Sequence, residues 1–190
     1  MPVSALLRPL IVALIVVCPH SVATADSSRP FLVGKVTKVV DGDTIDVQLA
    51  SGPIRIRLYA IDAPERSQPH GKEATGALSS WVMGKQVEVE PFSQDRYDRM
   101  VGIVRVGDIN VNAAMVRSGD AWAYRRYMKK KDGALCTWEA EARAARRGVW
   151  ALSKAERIAP WEFRSRKKLL AFTDFGHDSA TVCVAAISSR

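Results

Sequence analysis

Ile45, Val47 and Leu49 alternate with Asp46 and Gln48, and Ile54, Ile56 and Leu58 alternate with Arg55, Arg57 and Tyr59. A period of two places each apolar set on one face of a half-buried strand. Phe31 to Val40 is also rich in strand-forming residues. Asp41-Gly42-Asp43 and Ser51-Gly52-Pro53 punctuate these runs, which predicts a meander of three tightly connected strands. After Pro64 the period changes. Gly71 to Met83 predicts a helix with Ala74, Leu78, Trp81 and Val82 toward a core. Gln86 to Glu90 and Val101 to Val106 return to strand, with a turn at Gly107-Asp108. Val111 to Arg117 is a short helix ended by Ser118-Gly119, and Ala121 to Tyr124 is extended. A last helix carries Leu135, Trp138, Ala142 and Ala145 at core-facing spacing. Glu139 and Arg143 form an i,i+4 pair on its exposed side, and Gly148 is its C-cap. Beyond it, the basic run Arg164 to Lys168 reads as a solvated face or a helical extension, and Thr181 to Ile187 as a late strand.

Five strands, with a helix between the third and fourth and helices after the fifth, predict an α+β, mainly β, architecture. The expected form is a five-stranded OB-fold barrel with about three α-helices rather than a sandwich. No repeat with a period of about 20–50 residues occurs, so the chain is not a solenoid or propeller. With 190 residues and 47% hydrophobic content, it has room for one core and too much apolar surface to stay disordered. Twenty-eight Lys and Arg against twenty Asp and Glu leave +8, which favours a polyanionic partner.

Residues 1–25 read as a secretory signal. Arg8 is their one charge, Leu10 to Cys18 is apolar, and Ala23-Thr24-Ala25 offers a small-x-small cleavage site. The run is too short for a hydrocarbon core, which needs about 20 apolar residues. The expected organisation is a signal at 1–25, one domain at 26–162, and a C-terminal extension of unassigned role at 163–190. The expectation is an exported, periplasmic or secreted monomer with no stable membrane association after cleavage. Removal of the signal leaves Cys136 and Cys183, which form one disulfide or remain two thiols.

Acid concentrates in two turns, Asp41-Gly42-Asp43-Thr44 and Asp62-Ala63-Pro64-Glu65. Each alone reads as an ordinary turn former. Together they are more informative, because the meander allows the end of the third strand to lie near the start of the second. Three or four carboxylates then converge, and a bound hard cation would relieve their repulsion. Oxygen ligands without His or Cys point to Ca²⁺ or Mg²⁺. The spacing from Asp41 does not fit an EF-hand loop, and zinc-protease, P-loop and G-x-S-x-G motifs are absent. His70 and His177 read as surface residues. Arg57, and Arg99 within Asp95-Arg96-Tyr97-Asp98-Arg99, complete a kit for phosphoryl transfer: a cation and guanidinium groups for the equatorial oxygens, and a spare carboxylate for water.

Val39-Val40-Asp41-Gly42-Asp43-Thr44, then Arg57 to Glu65, then Asp95 to Arg99 resemble the three signature blocks of the staphylococcal nuclease family. Asn112 to Gly119 and Glu139 to Trp150 resemble its later helices, and Pro160-Trp161-Glu162 resembles a tail of bacterial members. The resemblance implies an OB-fold barrel and Ca²⁺-dependent hydrolysis of DNA and RNA, leaving 3′-phosphate and 5′-hydroxyl ends. It implies Asp43, Asp62 and the backbone carbonyl of Ala63 as cation ligands, with Asp41 behind them. Glu65 becomes the general base or water-positioner, and Arg57 and Arg99 the phosphate clamp. Tyr97, Tyr124 and Tyr127, with Trp122 nearby, become candidates for stacking on bases. Asp98 departs from the best-known member, which has Gly before the second arginine. Asp98 either pairs with Arg99 and blunts the clamp or faces solvent. The alternative function is a noncatalytic OB-fold module of the cell envelope that binds nucleic acid or a partner.

Overall fold

A computed structural model of the chain describes residues 31–165 and 180–188. The expected signal at 1–25, Cys18 and His177 lie outside the described residues. Strands β1 (Leu32–Asp41), β2 (Thr44–Leu49) and β3 (Gly52–Leu58) form the antiparallel meander that their alternation predicts. The short strand β4 (Ile61–Asp62) and helix α1 (Gly71–Val82) follow. Strand β5 (Gln86–Gln94) pairs antiparallel with β1. Strand β6 (Met100–Val106) pairs antiparallel with β5 and parallel with β3, which closes a mixed five-stranded barrel. Closure leaves none of the five strands as an open edge.

The barrel interior is filled by the inward set of each strand. Ile45 and Val47 of β2, Ile56 and Leu58 of β3, Val87 and Val89 of β5, and Val104 of β6 are all buried. Each such side chain removed from water contributes roughly 1.5–3 kcal/mol. Helix α1 presents Ala74, Leu78 and Val82 to this core, and Trp81 packs partly exposed at its margin.

After β7 (Ile109–Asn110), helix α2 (Val111–Ser118) is capped at both ends. The Asn110 side chain accepts from the Ala113 N–H, and Gly119 adopts the left-handed conformation that ends the helix. Buried Asn112 stitches the barrel seam. Its Oδ1 accepts from the Val104 N–H at 3.0 Å, and its Nδ2 donates to the carbonyls of Tyr59 and Gly102. Strand β8 (Trp122–Ala123) then pairs with β4.

The C-terminal half departs from the sequence expectation in three places. Helix α3 (Ala134–Ala144) buries Leu135, Cys136, Glu139 and Ala142. Glu139 is therefore on the core side, not half of an exposed pair with Arg143. Its Oε1 accepts from the Ala123 N–H at 2.8 Å, and Arg125 lies 3.5 Å from its other oxygen. Ala145 is exposed, and Gly148 opens a 3₁₀ turn instead of capping the helix. Residues expected as a late strand form helix α5 (Ala180–Ser188), following α4 (Pro160–Ser165). Cys183 and Ile187 of α5, four residues apart, are its buried positions. Cys183 is bonded to Cys136 with their Cα atoms 5.6 Å apart, which ties α5 to α3. No helix among the described residues is long and apolar enough to cross a membrane.

Candidate functional site

Strand register brings the two acid turns together. Thr44 pairs with Arg57, and the Leu58 N–H donates to the carbonyl of Asp43 at 2.8 Å, so the start of β2 lies beside the end of β3. Ala60 then turns the chain with a positive φ, and the β4–β8 pairing holds Asp62 in place. Gly42 permits the final approach. A Cβ at that position would stand 2.6 Å from the Ala63 Cβ and 3.0 Å from that of Ala74. The Asp41–Thr44 turn can abut the Asp62–Glu65 turn only because residue 42 has no side chain.

Arg57 joins the two turns. Its Nη1 lies 2.9 Å from Asp43 Oδ2, and its Nη2 lies 2.7 Å from Asp62 Oδ1. Asp43 also accepts from the Ala63 N–H at 2.8 Å and from the Thr44 hydroxyl at 3.1 Å. Asp41 shapes its own turn by accepting the Asp43 N–H. Asp62 is completely buried. Arg55, on the outward side of β3 like Arg57, pairs instead with Asp46 at the surface.

The sequence reading of 164–168 as a solvated face or a helical extension does not place Arg164 in the site, although Arg164 does lie in a helix. Arg164, at the end of α4, reaches back across 102 residues to Asp62. Its Nη2 donates to Asp62 Oδ2 at 2.6 Å, and its Nη1 to Asp62 Oδ1 at 3.2 Å and Glu65 Oε1 at 2.7 Å. Nothing in the local pattern distinguishes it from its basic neighbours. The available signal is the preceding Pro160-Trp161, a helix start with an aromatic anchor. Trp161 stacks on Tyr124 at 5.2 Å between ring centroids and packs edgewise on Trp122.

Asp43, Arg57, Glu65, Tyr97, Arg99, Tyr127 and Arg164, among others, line one groove of about 670 Å³, with Asp62 buried behind its wall. The three tyrosines differ in use. Tyr97 and Tyr127 are well exposed. Tyr124 is half-buried, with a face already covered by Trp161, so it offers less stacking surface than the sequence suggests. Trp122 belongs to the core. Arg99 faces the groove but is held by Asp95, with Nη2 and Nε at 2.7 and 2.8 Å from Asp95 Oδ2. Asp98, with φ at 63°, turns its carboxylate to the Gln94 amide instead of Arg99. His70 is not a free surface residue, since its Nε2 lies 2.7 Å from Asp120 Oδ1.

Acid clusters at the two turns. Asp41, Asp43, Asp62 and Glu65 stand around Arg57 and Arg164, Arg99 pairs with Asp95, and Arg96 and Arg126 also line the groove. Burial pushes the Asp43 carboxyl up to about 8, with Asp41 and Asp62 adding to the rise and Arg57 and the Ala63 N–H opposing it. Burial likewise raises Asp62 against the pull of Arg57 and Arg164. Among the described residues no three metal-binding side chains close on one point as a finished cage. Arg57 and Arg164 stand between the acids. The donor set nevertheless suits a hard divalent cation: it is all oxygen, and its two central carboxylates are buried.

The raised Asp43 has a consequence for stability. Between about pH 4 and 8 the folded protein holds a proton that the unfolded chain has lost, so stability falls as pH rises through that window. Cation-free protein is expected to melt lower at about pH 8.5 than at about pH 5.5 in scanning calorimetry. A divalent cation should recover most of that loss, and Asp43→Asn should flatten the profile.

A family model described as staphylococcal nuclease homologue matches residues 55–152. The chain is 46% identical to an uncharacterized endonuclease of Escherichia coli O157:H7 over 135 residues, covering 70% of this chain and 86% of that protein. It is 39% identical to a micrococcal nuclease of Shigella flexneri over 144 residues, covering 71% and 82% of the two chains. It is also 43% identical to the staphylococcal-like nuclease CAN1 of Arabidopsis thaliana, over 60% of this chain and 34% of the plant protein.

Proposed function

The chain belongs to the staphylococcal nuclease family, and on that premise we propose that it is an exported nuclease that hydrolyses phosphodiester bonds of DNA and RNA with Ca²⁺. The observation that carries this reading is Arg57 bridging buried Asp43 and Asp62, in one groove with Glu65 and Arg99.

Asp43, Asp62 and the backbone carbonyl of Ala63 would hold the cation, with Asp41 fixing the Asp43 backbone. A bound Ca²⁺ supplies charge neutralisation to a phosphoryl oxygen. The chain's own groups do the remaining work. Glu65, about one-third exposed at the groove, takes a proton from the attacking water or orients it. Arg57 and Arg99 donate to the phosphoryl oxygens as negative charge builds there. The water oxygen bonds to phosphorus and gives up a proton to Glu65 or to solvent, the bond to the 5′-oxygen breaks, and that oxygen takes a proton from solvent and leaves as a hydroxyl. The phosphate stays on the 3′ side. Exposed Tyr97 and Tyr127 offer ring faces to unstacked bases. The disulfide suits an oxidising compartment outside the cytoplasm.

The test is digestion of denatured DNA and of RNA in Ca²⁺, Mg²⁺ or EDTA, followed by end-group analysis. Calcium-dependent cleavage leaving 3′-phosphates is expected. Binding without cleavage in any metal would favour a noncatalytic OB-fold module. The position of Asp98 adds an expectation of its own. Because Asp95 and not Asp98 holds Arg99, Asp98→Gly should leave the cleavage rate near that of the wild type. A large gain in rate would show that Asp98 does restrain the clamp.

A further inference from the structure

Arg164 occupies the carboxylates that a cation would need. Asp62 has no exposed surface, and both its oxygens are engaged: Oδ1 by Arg57 and Arg164, Oδ2 by Arg164 at 2.6 Å. The same guanidinium also takes Glu65 Oε1, the group assigned to the attacking water. A planar guanidinium spanning two carboxylates meets the geometric demand of a bidentate ion pair and satisfies both acids without a metal. A divalent cation among the same oxygens would place two positive charges against a third at contact range.

We infer that Arg164 and the divalent cation compete for Asp62 and Glu65, so that Arg164 is an internal stand-in which the cation must displace. This rests on the reading of Asp43, Asp62 and Ala63 as the cation site, and adds to it a residue that sets the site's affinity.

The surrounding structure supports displacement of a side chain rather than unfolding. The Arg164 side chain is 42% exposed, in contrast to Arg57 at 12%, so it can swing to solvent while Arg57 stays. The segment behind it is anchored independently. Trp161 stacks on Tyr124, and Gln68 Nε2 donates to the Ile158 carbonyl at 3.0 Å. Gln68 also accepts the Glu65 N–H through its Oε1, which links the Glu65 turn to the segment carrying Arg164. The anchors keep the guanidinium close to the acids in the absence of metal. They also cover a face of Tyr124, so the same segment screens part of the base-stacking surface.

The test is calorimetric titration of Ca²⁺ into metal-free wild type, Arg164→Gln and Arg164→Lys, paired with melting curves in EDTA and in Ca²⁺. Competition predicts that Arg164→Gln binds Ca²⁺ about tenfold more tightly than wild type or better. Arg164→Lys, which keeps the charge but loses the fork, should fall between them. In EDTA, Arg164→Gln should melt below wild type, because the acids lose a partner, and Ca²⁺ should raise its melting temperature by more than it raises that of the wild type. If Arg164→Gln is too unstable without metal to titrate, Arg164→Lys carries the same comparison. Equal or weaker Ca²⁺ binding by the variants overturns the competition and leaves the cation site standing. Absence of Ca²⁺ binding in wild type and variants alike overturns the cation site, and the competition with it.

Discussion

Arg57→Lys is expected to lower the rate of DNA cleavage by about 10²–10³-fold, the range found when one preorganised donor is removed from a transition-state site. Lysine keeps the charge but has one nitrogen where arginine has a fork. It cannot hold Asp43 at 2.9 Å and Asp62 at 2.7 Å together and still direct a donor at phosphate. Arg57→Ala goes further. It leaves two buried carboxylates short of a positive partner, and breaking a buried pair in this way costs about 3–5 kcal/mol. Melting in EDTA should show most of that loss, and Ca²⁺ should offset part of it. Arg55→Ala is the control from the same strand face. Arg55 is 48% exposed and pairs with Asp46, so its removal should cost no more than about 1 kcal/mol and little activity. Equal damage from Arg55→Ala and Arg57→Ala would mean that the assignment of Arg57 is wrong.

Glu65→Gln is the second large effect. Loss of a positioned base or water-orienting carboxylate lowers turnover by about 10²–10⁴-fold. The fold should survive, because Glu65 lies at the groove mouth, and its backbone N–H is held by Gln68 rather than by its own side chain. The two measurements to compare are kcat and melting temperature. A fall in kcat with an unchanged melting temperature separates a chemical role from a structural one. If Glu65→Gln keeps wild-type turnover, the groove performs its chemistry without this carboxylate.

Legibility of the fold in the sequence followed burial. The meander of β1 to β3 is readable because its strands have one face in the core and one outside, which imposes strict alternation. The acid turns and Arg57 are readable because they lie within a short stretch whose hairpin geometry sets their spacing. Glu139 departs from its expected exposure for a chemical reason. A glutamate suggests solvent, but it lies four residues after Leu135 on the same helical face, where the Ala123 N–H needs an acceptor. The segment 181–187 reads as strand because of its β-branched residues, yet it forms a helix. Its buried positions, Cys183 and Ile187, have helical spacing, and the disulfide to α3 fixes its docking. Arg164 has no local signal beyond the helix start and aromatic anchor at Pro160-Trp161. Its role depends on a chain reversal that returns α4 to a turn about 100 residues earlier, and only the tertiary structure contains that distance.

Whether Asp43 and Asp62 form a cation site on which hydrolysis depends is decided by one titration. The rate of single-stranded DNA cleavage is measured against free Ca²⁺ for wild type and for Asp62→Asn. A cation site at Asp43 and Asp62 predicts no cleavage in EDTA, a saturable rise with Ca²⁺ in the wild type, and a curve for Asp62→Asn displaced to much higher Ca²⁺ or flat. Cleavage by the wild type in EDTA, or an Asp62→Asn curve that overlays it, would contradict the account.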